Sequence, residues 1–205
     1  MTSILFSVGL LTTPPATANP KYASIIVEES SGRVLYSRNA DKQLFPASLT
    51  KIMTLYLLFE ALQNRRITLG TRMKVSKVAA SRSPSKLYLK PGQTITVENA
   101  ILALVTKSAN DVATVVSEHL GGNERNFAKK MTRKAKAIGM KRTIFKNASG
   151  LPNQAQLSTA RDMARLGSAI RRDFPQYFKY FNSTSFNWKG RKFRNHKKLL
   201  TEFKG

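Results

Sequence analysis

Two residues in the stretch Pro46-Ala47-Ser48-Leu49-Thr50-Lys51-Ile52-Met53 could do covalent chemistry together. Ser48 and Lys51 lie three apart, and residues at that spacing share one face of a helix. A lysine taken out of water is pushed toward its neutral form, in which it can accept a proton near neutral pH. A serine hydroxyl beside such a base is a candidate nucleophile. The helix would open at Pro46, which needs no N–H in a first turn, and would end near Gln63-Asn64. Between Ser48 and Phe59 its one charged residue is Lys51, and a helix apolar on nearly every face belongs in a core. The same spacing equally suits a helix-start serine and a lysine reaching out to solvent, so Ser-x-x-Lys alone does not decide.

A second constellation follows at Ser108-Ala109-Asn110-Asp111. It puts a hydroxyl and a carboxamide together at a break between two helices. A second serine can relay a proton between a lysine and a leaving amine, and an asparagine amide can orient a peptide carbonyl. The structural reading of Ser108 is a helix N-cap, with Asp111 three residues on in capping-box position.

The elements that must position these residues are legible in outline. Residues 23–28 and 34–37 are rich in β-branched residues and flank Ser30-Ser31-Gly32-Arg33, a hairpin pattern. Residues 65–95 read as mixed, with a polar loop at 81–85 and a turn at Pro91-Gly92. Thr96 caps a helix over 97–105, with Glu98 in its first turn. Further helices are expected over 109–120, ended by Gly121-Gly122, and over 124–138, ended by Gly139. This succession predicts an all-helical lobe over about 65–140. A turn-rich loop covers 147–153. Thr159 with Asp162 then caps a helix over 160–172, and strands over 183–187 and 192–195 flank Trp188-Lys189-Gly190.

Composition bounds the chemistry. The 205 residues suit one domain with an inserted lobe and are enough for a core. There is no cysteine, which excludes disulfides and a cysteine nucleophile. With His119 and His196 as the only histidines, a dedicated zinc site is not expected. The net charge is +24, divided as +7 over residues 1–120 (14 basic, 7 acidic) and +17 over 121–205 (21 basic, 4 acidic). Such a basic half suits nucleic acid, an anionic membrane surface or an anionic polymer, and equally a solvated surface with an affinity for polyanions. No zinc finger, RRM-type signature or helix-turn-helix accompanies it, which argues against nucleic acid. Residues 4–11 form a short apolar run, followed by Ala16-Thr17-Ala18. That predicts a signal peptide over residues 1–18 and export to the periplasm or cell envelope, although no basic residue precedes Lys21. The run is too short for a membrane span.

Taken together, the motifs resemble a known family. Ser-x-x-Lys at a helix start, followed some sixty residues on by Ser-x-Asn, is the motif pair of penicillin-binding proteins and related β-lactamases. The stretch from Phe45 to Thr54, then Ser108-Ala109-Asn110-Asp111, resembles a low-molecular-mass penicillin-binding protein, a serine-type D-alanyl-D-alanine carboxypeptidase. Asn147-Ala148-Ser149-Gly150-Leu151 and residues 186–200, with Asn195-His196, support it. The resemblance runs from about Tyr22 to the end of the chain and implies an α+β fold, an antiparallel sheet packed with helices plus the helical lobe. It implies Ser48 as nucleophile, Lys51 as base, Ser108 as relay and Asn110 as the substrate-binding residue. Peptidoglycan stem peptides are the implied substrates and β-lactams the covalent inhibitors, with no cofactor.

One departure stands out. The family's third motif, Lys-Thr/Ser-Gly, lines the site and supplies a cation and an oxyanion-hole N–H. No such tripeptide follows Ser108. The chain therefore reads as truncated before that motif, with its sheet incomplete, and one lost oxyanion donor costs about 10²–10³ in rate. The alternatives are an inactive remnant, a cationic wall-binding protein, or a β-lactamase. The last would need a deacylating glutamate, and none of Glu118, Glu124 and Glu202 sits in a Glu-x-x-Leu-Asn setting.

Overall fold

The computed structural model describes residues 22–195. The expected signal peptide, His196 and Glu202 lie outside them. The predicted central helix is present as α1, Thr50–Gln63, with eleven of its residues buried. Its run of apolar side chains has no polar face to offer water, so it is buried on all sides. Four helices pack on it: α3 (Val97–Thr106), α4 (Asn110–Gly121), α5 (Glu124–Ala137) and α6 (Ala160–Asp173). Pro46 does stand at the entrance, but the first turn, Ala47–Leu49, is a 3₁₀ turn and Ser48 sits on it rather than within the α-helix.

The aromatic end of α1 anchors the following segment. Phe59 stacks on Tyr177 at 5.1 Å and meets Phe174 and Phe181 edge-on at 5.9 and 6.4 Å. These partners come from the end of α6, the short helix α7 (Pro175–Phe178) and the 3₁₀ turn Lys179–Asn182. The Tyr56 hydroxyl donates to Asp173 at 2.6 Å. Burial first, and then that carboxylate, push the Tyr56 phenol well above its usual range.

Three antiparallel strand pairs surround the helices. β1 (Ser24–Val27) pairs with β2 (Val34–Arg38) around the expected glycine turn, where Gly32 has φ +72°. β3 (Arg72–Lys74) pairs with β4 (Thr94–Thr96). These lie in the stretch read as a helical lobe, which also holds the short helix α2, Lys77–Ala80. β5 (Ser185–Trp188) pairs with β6 (Arg191–Arg194). Trp188 belongs to its strand, opposite Arg191, so the turn is Lys189-Gly190 alone. Both residues have positive φ (48° and 78°), which gives the two-residue turn that matches strand twist.

Local capping rules work at two of the three expected sites. Thr96 accepts from the Asn99 amide at 3.2 Å, and Thr159 from the Asp162 amide at 3.0 Å. At α4 the expectation fails. Ala109 holds the cap position without a side-chain bond, and Ser108 has φ +56°. The amides at this end find other partners: Asn110 N donates to Ser85 O at 2.7 Å, and Val112 N to Asp111 Oδ1 at 2.9 Å. The Asp111 carboxylate also accepts from the amides of Leu87 and Leu89, so it braces a neighbouring loop and not the Ser108 backbone.

The packing around Phe59 predicts that Phe59→Ala costs about 3–5 kcal/mol, because a fully buried ring leaves a cavity that three other rings cannot collapse into. Urea denaturation checks it, and a loss under about 1 kcal/mol would mean that the aromatic cluster does not hold this end of the core.

Candidate functional site

Lys51 is the feature on which the site is built. It lies in the first turn of α1 with 3% of its surface exposed. No carboxylate lies within ion-pair distance among the described residues. Its partner is neutral: Nζ donates to the Ser149 backbone oxygen at 2.6 Å. Burial without a compensating anion disfavours the ammonium and brings the lysine down from 10.5 to about 8. An amine in that range exchanges protons readily near neutral pH, as a base requires.

Ser48 stands on the 3₁₀ turn just before α1, exposed, while Lys51 one turn on is buried. The turn is shaped by its neighbours. Ala47 has φ +45°, a region that costs a residue with a side chain. Gly150 lies directly against it: a Cβ on Gly150 would fall 1.8 Å from Ala47 O and 3.1 Å from Ser48 N. Gly150 has φ +86°, so this position needs glycine both for its backbone angle and for the close approach. The loop that holds the Lys51 amine through Ser149 thus also supports the Ser48 backbone through the next residue.

That loop is fixed from several directions. Asn147 Oδ1 accepts from the amides of Ser149 at 3.2 Å and Gly150 at 2.7 Å. Gln156 Oε1 accepts from the amides of Lys146 and Asn147 at 2.9 and 3.0 Å. From α1, Thr54 Oγ1 donates to Ala148 O at 2.7 Å. From α5, Glu124 Oε1 accepts from Ala148 N at 3.1 Å, while Oε2 pairs with Arg82. Arg82 Nε donates in turn to Thr114 Oγ1 on α4 at 3.0 Å.

The same network reaches the second motif. Asn110 is buried at the start of α4, and its Nδ2 donates to Ser83 O at 3.0 Å. Ser85 Oγ donates to Lys107 O at 2.8 Å. The loop that carries Arg82 therefore holds both sides of Ser108. The Ser108 hydroxyl makes no hydrogen bond among the described residues, and neither does that of Ser48. The structure therefore places Lys51 and Asn110 in fixed, buried settings, Ser48 on the turn that leads into α1 and Ser108 on the turn that leads into α4. It closes no hydrogen bond between Ser48, Lys51 and Ser108. Such contacts often tighten only when substrate is bound.

Sequence reasoning missed Arg82, Thr54 and the structural part played by Glu124. Their partners lie 24 to 94 residues away in the chain, where local pattern gives no signal. The Asn147-to-Gly150 turn did carry one, since Asn and Gly at that spacing form side-chain-to-backbone turns. Among the described residues no cluster of three His, Asp or Glu side chains could hold a metal ion, and no helix is long and apolar enough to cross a membrane.

Known proteins resemble this chain in sequence and in fold. The family profile described as D-alanyl-D-alanine carboxypeptidase, peptidase family S11, matches residues 12–204. The chain is 34% identical to the D-alanyl-D-alanine carboxypeptidase DacF of Bacillus subtilis over 182 residues, which are 83% of this chain and 47% of that protein. It is 35% identical to the carboxypeptidase DacC of Escherichia coli over 184 residues, 87% of this chain and 46% of that one. The chain thus spans about half the length of the curated relatives it matches. Among solved structures, penicillin-binding protein 5 of Haemophilus influenzae superposes with a TM-score of 0.85 at 30% identity, covering 93% of this chain and 56% of that one. Penicillin-binding protein D2 of Listeria monocytogenes, in an ampicillin-bound form, gives 0.81 at 30% identity, covering 93% and 78%. The α+β fold expected from the motifs is the fold of these structures. By its motifs, its fold and these matches, the chain belongs to the D-alanyl-D-alanine carboxypeptidase family.

Proposed function

We propose that this chain carries the nucleophile, base and relay of a serine-type D-Ala-D-Ala carboxypeptidase acting on peptidoglycan stem peptides. The observation that carries the reading is the buried Lys51, which has no anion beside it and titrates near 8 on the helix that begins at the exposed Ser48 turn. Ser48 Oγ attacks the carbonyl carbon between the two D-alanines, and its proton passes to the neutral Lys51 amine. The C–N bond then breaks. The departing D-alanine amine takes a proton from Lys51 through the Ser108 hydroxyl, leaving the peptide as an ester on Ser48. Water hydrolyses that ester, which releases the shortened peptide and restores the serine. Asn110, anchored to Ser83 O through Nδ2, positions the peptide.

β-Lactams present a strained amide to the same serine, in line with the ampicillin-bound Listeria relative. The substrate lies in the wall, so the protein acts after export, with residues 1–18 as the leader, and the +17 charge of residues 121–205 favours anionic wall polymers. A second reading, wall binding without catalysis, draws on that charge. Retention of polymer binding with no acylation of wild type would favour it.

A fluorescent penicillin should form a covalent adduct with the 205-residue chain, located at Ser48 by peptide mapping and absent from Ser48→Ala. No adduct on wild type removes the catalytic reading. The acylation rate should rise with pH through about 8, because only the neutral amine accepts the serine proton. At pH 7 it should be about a tenth of the plateau reached above about pH 9. A flat profile between pH 6 and 9 would exclude Lys51 as the base. Stability carries the same sign: Lys51 binds its proton less tightly in the folded chain, so its contribution grows as pH rises from about 8 to 10.5.

Gly150→Ala drives a Cβ into Ala47 O and displaces the Ser48 turn. We expect acylation to slow more than tenfold and stability to fall by about 1 kcal/mol or more. Gly167→Ala is the control: it lies within α6 with nothing within 4 Å, and should be neutral or stabilise by up to about 1 kcal/mol. Equal acylation in the two variants would show that Gly150 does not set the turn.

A further inference from the structure

α5 presents four exposed cations in helical register: Arg125, Lys129, Arg133 and Lys136. Steps of four, four and three residues keep them on one face over about 16 Å of helix. They line one wall of a groove of about 500 Å³. The opposite wall is the segment that includes Ile144 and Lys146, tied to the helix where Thr132 Oγ1 accepts from Phe145 N at 3.0 Å. Of these five cations, none forms an ion pair among the described residues.

The lack of anions here is specific. Glu124 is the one carboxylate on α5, and it turns inward to Arg82 and the Ala148 amide. Lys134, on another face of the helix, is paired with Glu60. The groove thus concentrates cations that nothing in the fold neutralises. Like charges repel, so holding five of them around one groove is unfavourable unless a ligand offsets the field.

We infer that this groove binds a linear polyphosphodiester of the cell wall, whose successive phosphates engage the α5 cations while its chain lies between the two walls. Charge alone would also suit single-stranded nucleic acid or an anionic membrane, and the geometry disfavours both. Single strands are held by bases stacked on exposed aromatic rings, and the aromatic residue of this groove, Phe145, is buried. A membrane surface asks for protruding apolar anchors beside the cations, whereas here the exposed apolar side chain, Ile144, lines the concavity together with the cations. The wall as the source of the polymer rests on the proposed carboxypeptidase reading. The groove would keep the protein on its substrate: the segment with Lys146 continues directly into Asn147-to-Gly150, the loop that holds Lys51 and Ser48.

The test uses the 205-residue chain carrying Ser48→Ala, so that acylation plays no part and the two proposals fail separately. Binding of a labelled glycerol-phosphate oligomer is measured by anisotropy between 50 and 200 mM salt. We expect the added changes Arg125→Gln, Lys129→Gln, Arg133→Gln and Lys136→Gln to weaken binding at least tenfold. The slope of log affinity against log salt should shrink by about 2 to 3, at about 0.7 per lost phosphate contact. A control loses the same charge at Arg72, Lys74, Lys77 and Lys90, which do not line the groove, and should stay within about threefold of the parent. Unchanged far-UV circular dichroism and thermal midpoint show that both variants fold, as exposed positions allow. Equal weakening in both variants means diffuse charge and overturns the site, as does no binding by the parent at 100 mM salt. Tighter binding of oligothymidylate with the same number of phosphates, or of phosphatidylglycerol vesicles, overturns the wall polymer as occupant.

Discussion

The site depends on a lysine ammonium enclosed in the core with a single backbone carbonyl to receive it. Lys51 Nζ to Ser149 O, at 2.6 Å, joins the first turn of α1 to a loop 98 residues further on. A buried cation without an anion is expensive, and the usual escape is loss of the proton. The role proposed for Lys51 uses that escape. An acid beside Lys51 would hold the ammonium charged, which a base near neutral pH does not allow. The surroundings instead supply apolar packing, which lowers the proton affinity, and one neutral acceptor, which keeps the side chain in place. The remaining interactions of the site serve to keep that carbonyl where it is.

Several independent elements fix the loop that carries it. Asn147 and Gln156 satisfy four of its amides, Thr54 ties it to α1, and Glu124 ties it to α5 and, through Arg82, to α4. The redundancy matters because two turns of the site hold strained backbone. Ala47, before the proposed nucleophile Ser48, and Ser108, the proposed relay, both hold positive φ. Such angles cost on the order of 1–3 kcal/mol each and persist only where the surroundings over-determine them. Gly150 beneath Ala47 and the Ser83-to-Ser85 backbone around Ser108 and Asn110 provide that constraint. Because the Ser83-to-Ser85 backbone takes up the first amide of α4, the Ser108 hydroxyl has no capping duty.

Legibility in the sequence followed the range of the interaction. α1 could be read from its unbroken apolar run, the Thr96 and Thr159 caps from spacing, and the β1–β2 turn from Gly32. Each of these rests on residues within four positions of one another. Ser108 misled because the same local rule, serine before a helix with an acid three on, was satisfied by its letters. The actual amide partners came from residues 83–85 and from Asp111 facing Leu87 and Leu89. Arg82 and its pairing with Glu124 were silent for a similar reason: an ion pair spanning 42 residues has no periodicity to betray it. Motif order supplied what periodicity could not, since Ser-x-x-Lys and Ser-x-Asn mark both halves of the site without describing what joins them.

The charge of the surface has its origin in the same network. The described residues hold ten carboxylates, and seven of them form ion pairs. The other three serve as acceptors inside the fold: Glu98 for the Tyr180 hydroxyl, Asp111 for loop amides and Glu118 for Ser76. A chain with about three basic residues for each acidic one has no acid left to temper its outer helix faces once these positions are filled. The cations of α5 are uncompensated for this reason, and their concentration around a groove is what separates them from the basic residues scattered elsewhere. Net charge alone predicts attraction to any polyanion. Selectivity comes from shape, and in this fold the shape is set where α5 meets the segment leading into the loop that holds Lys51.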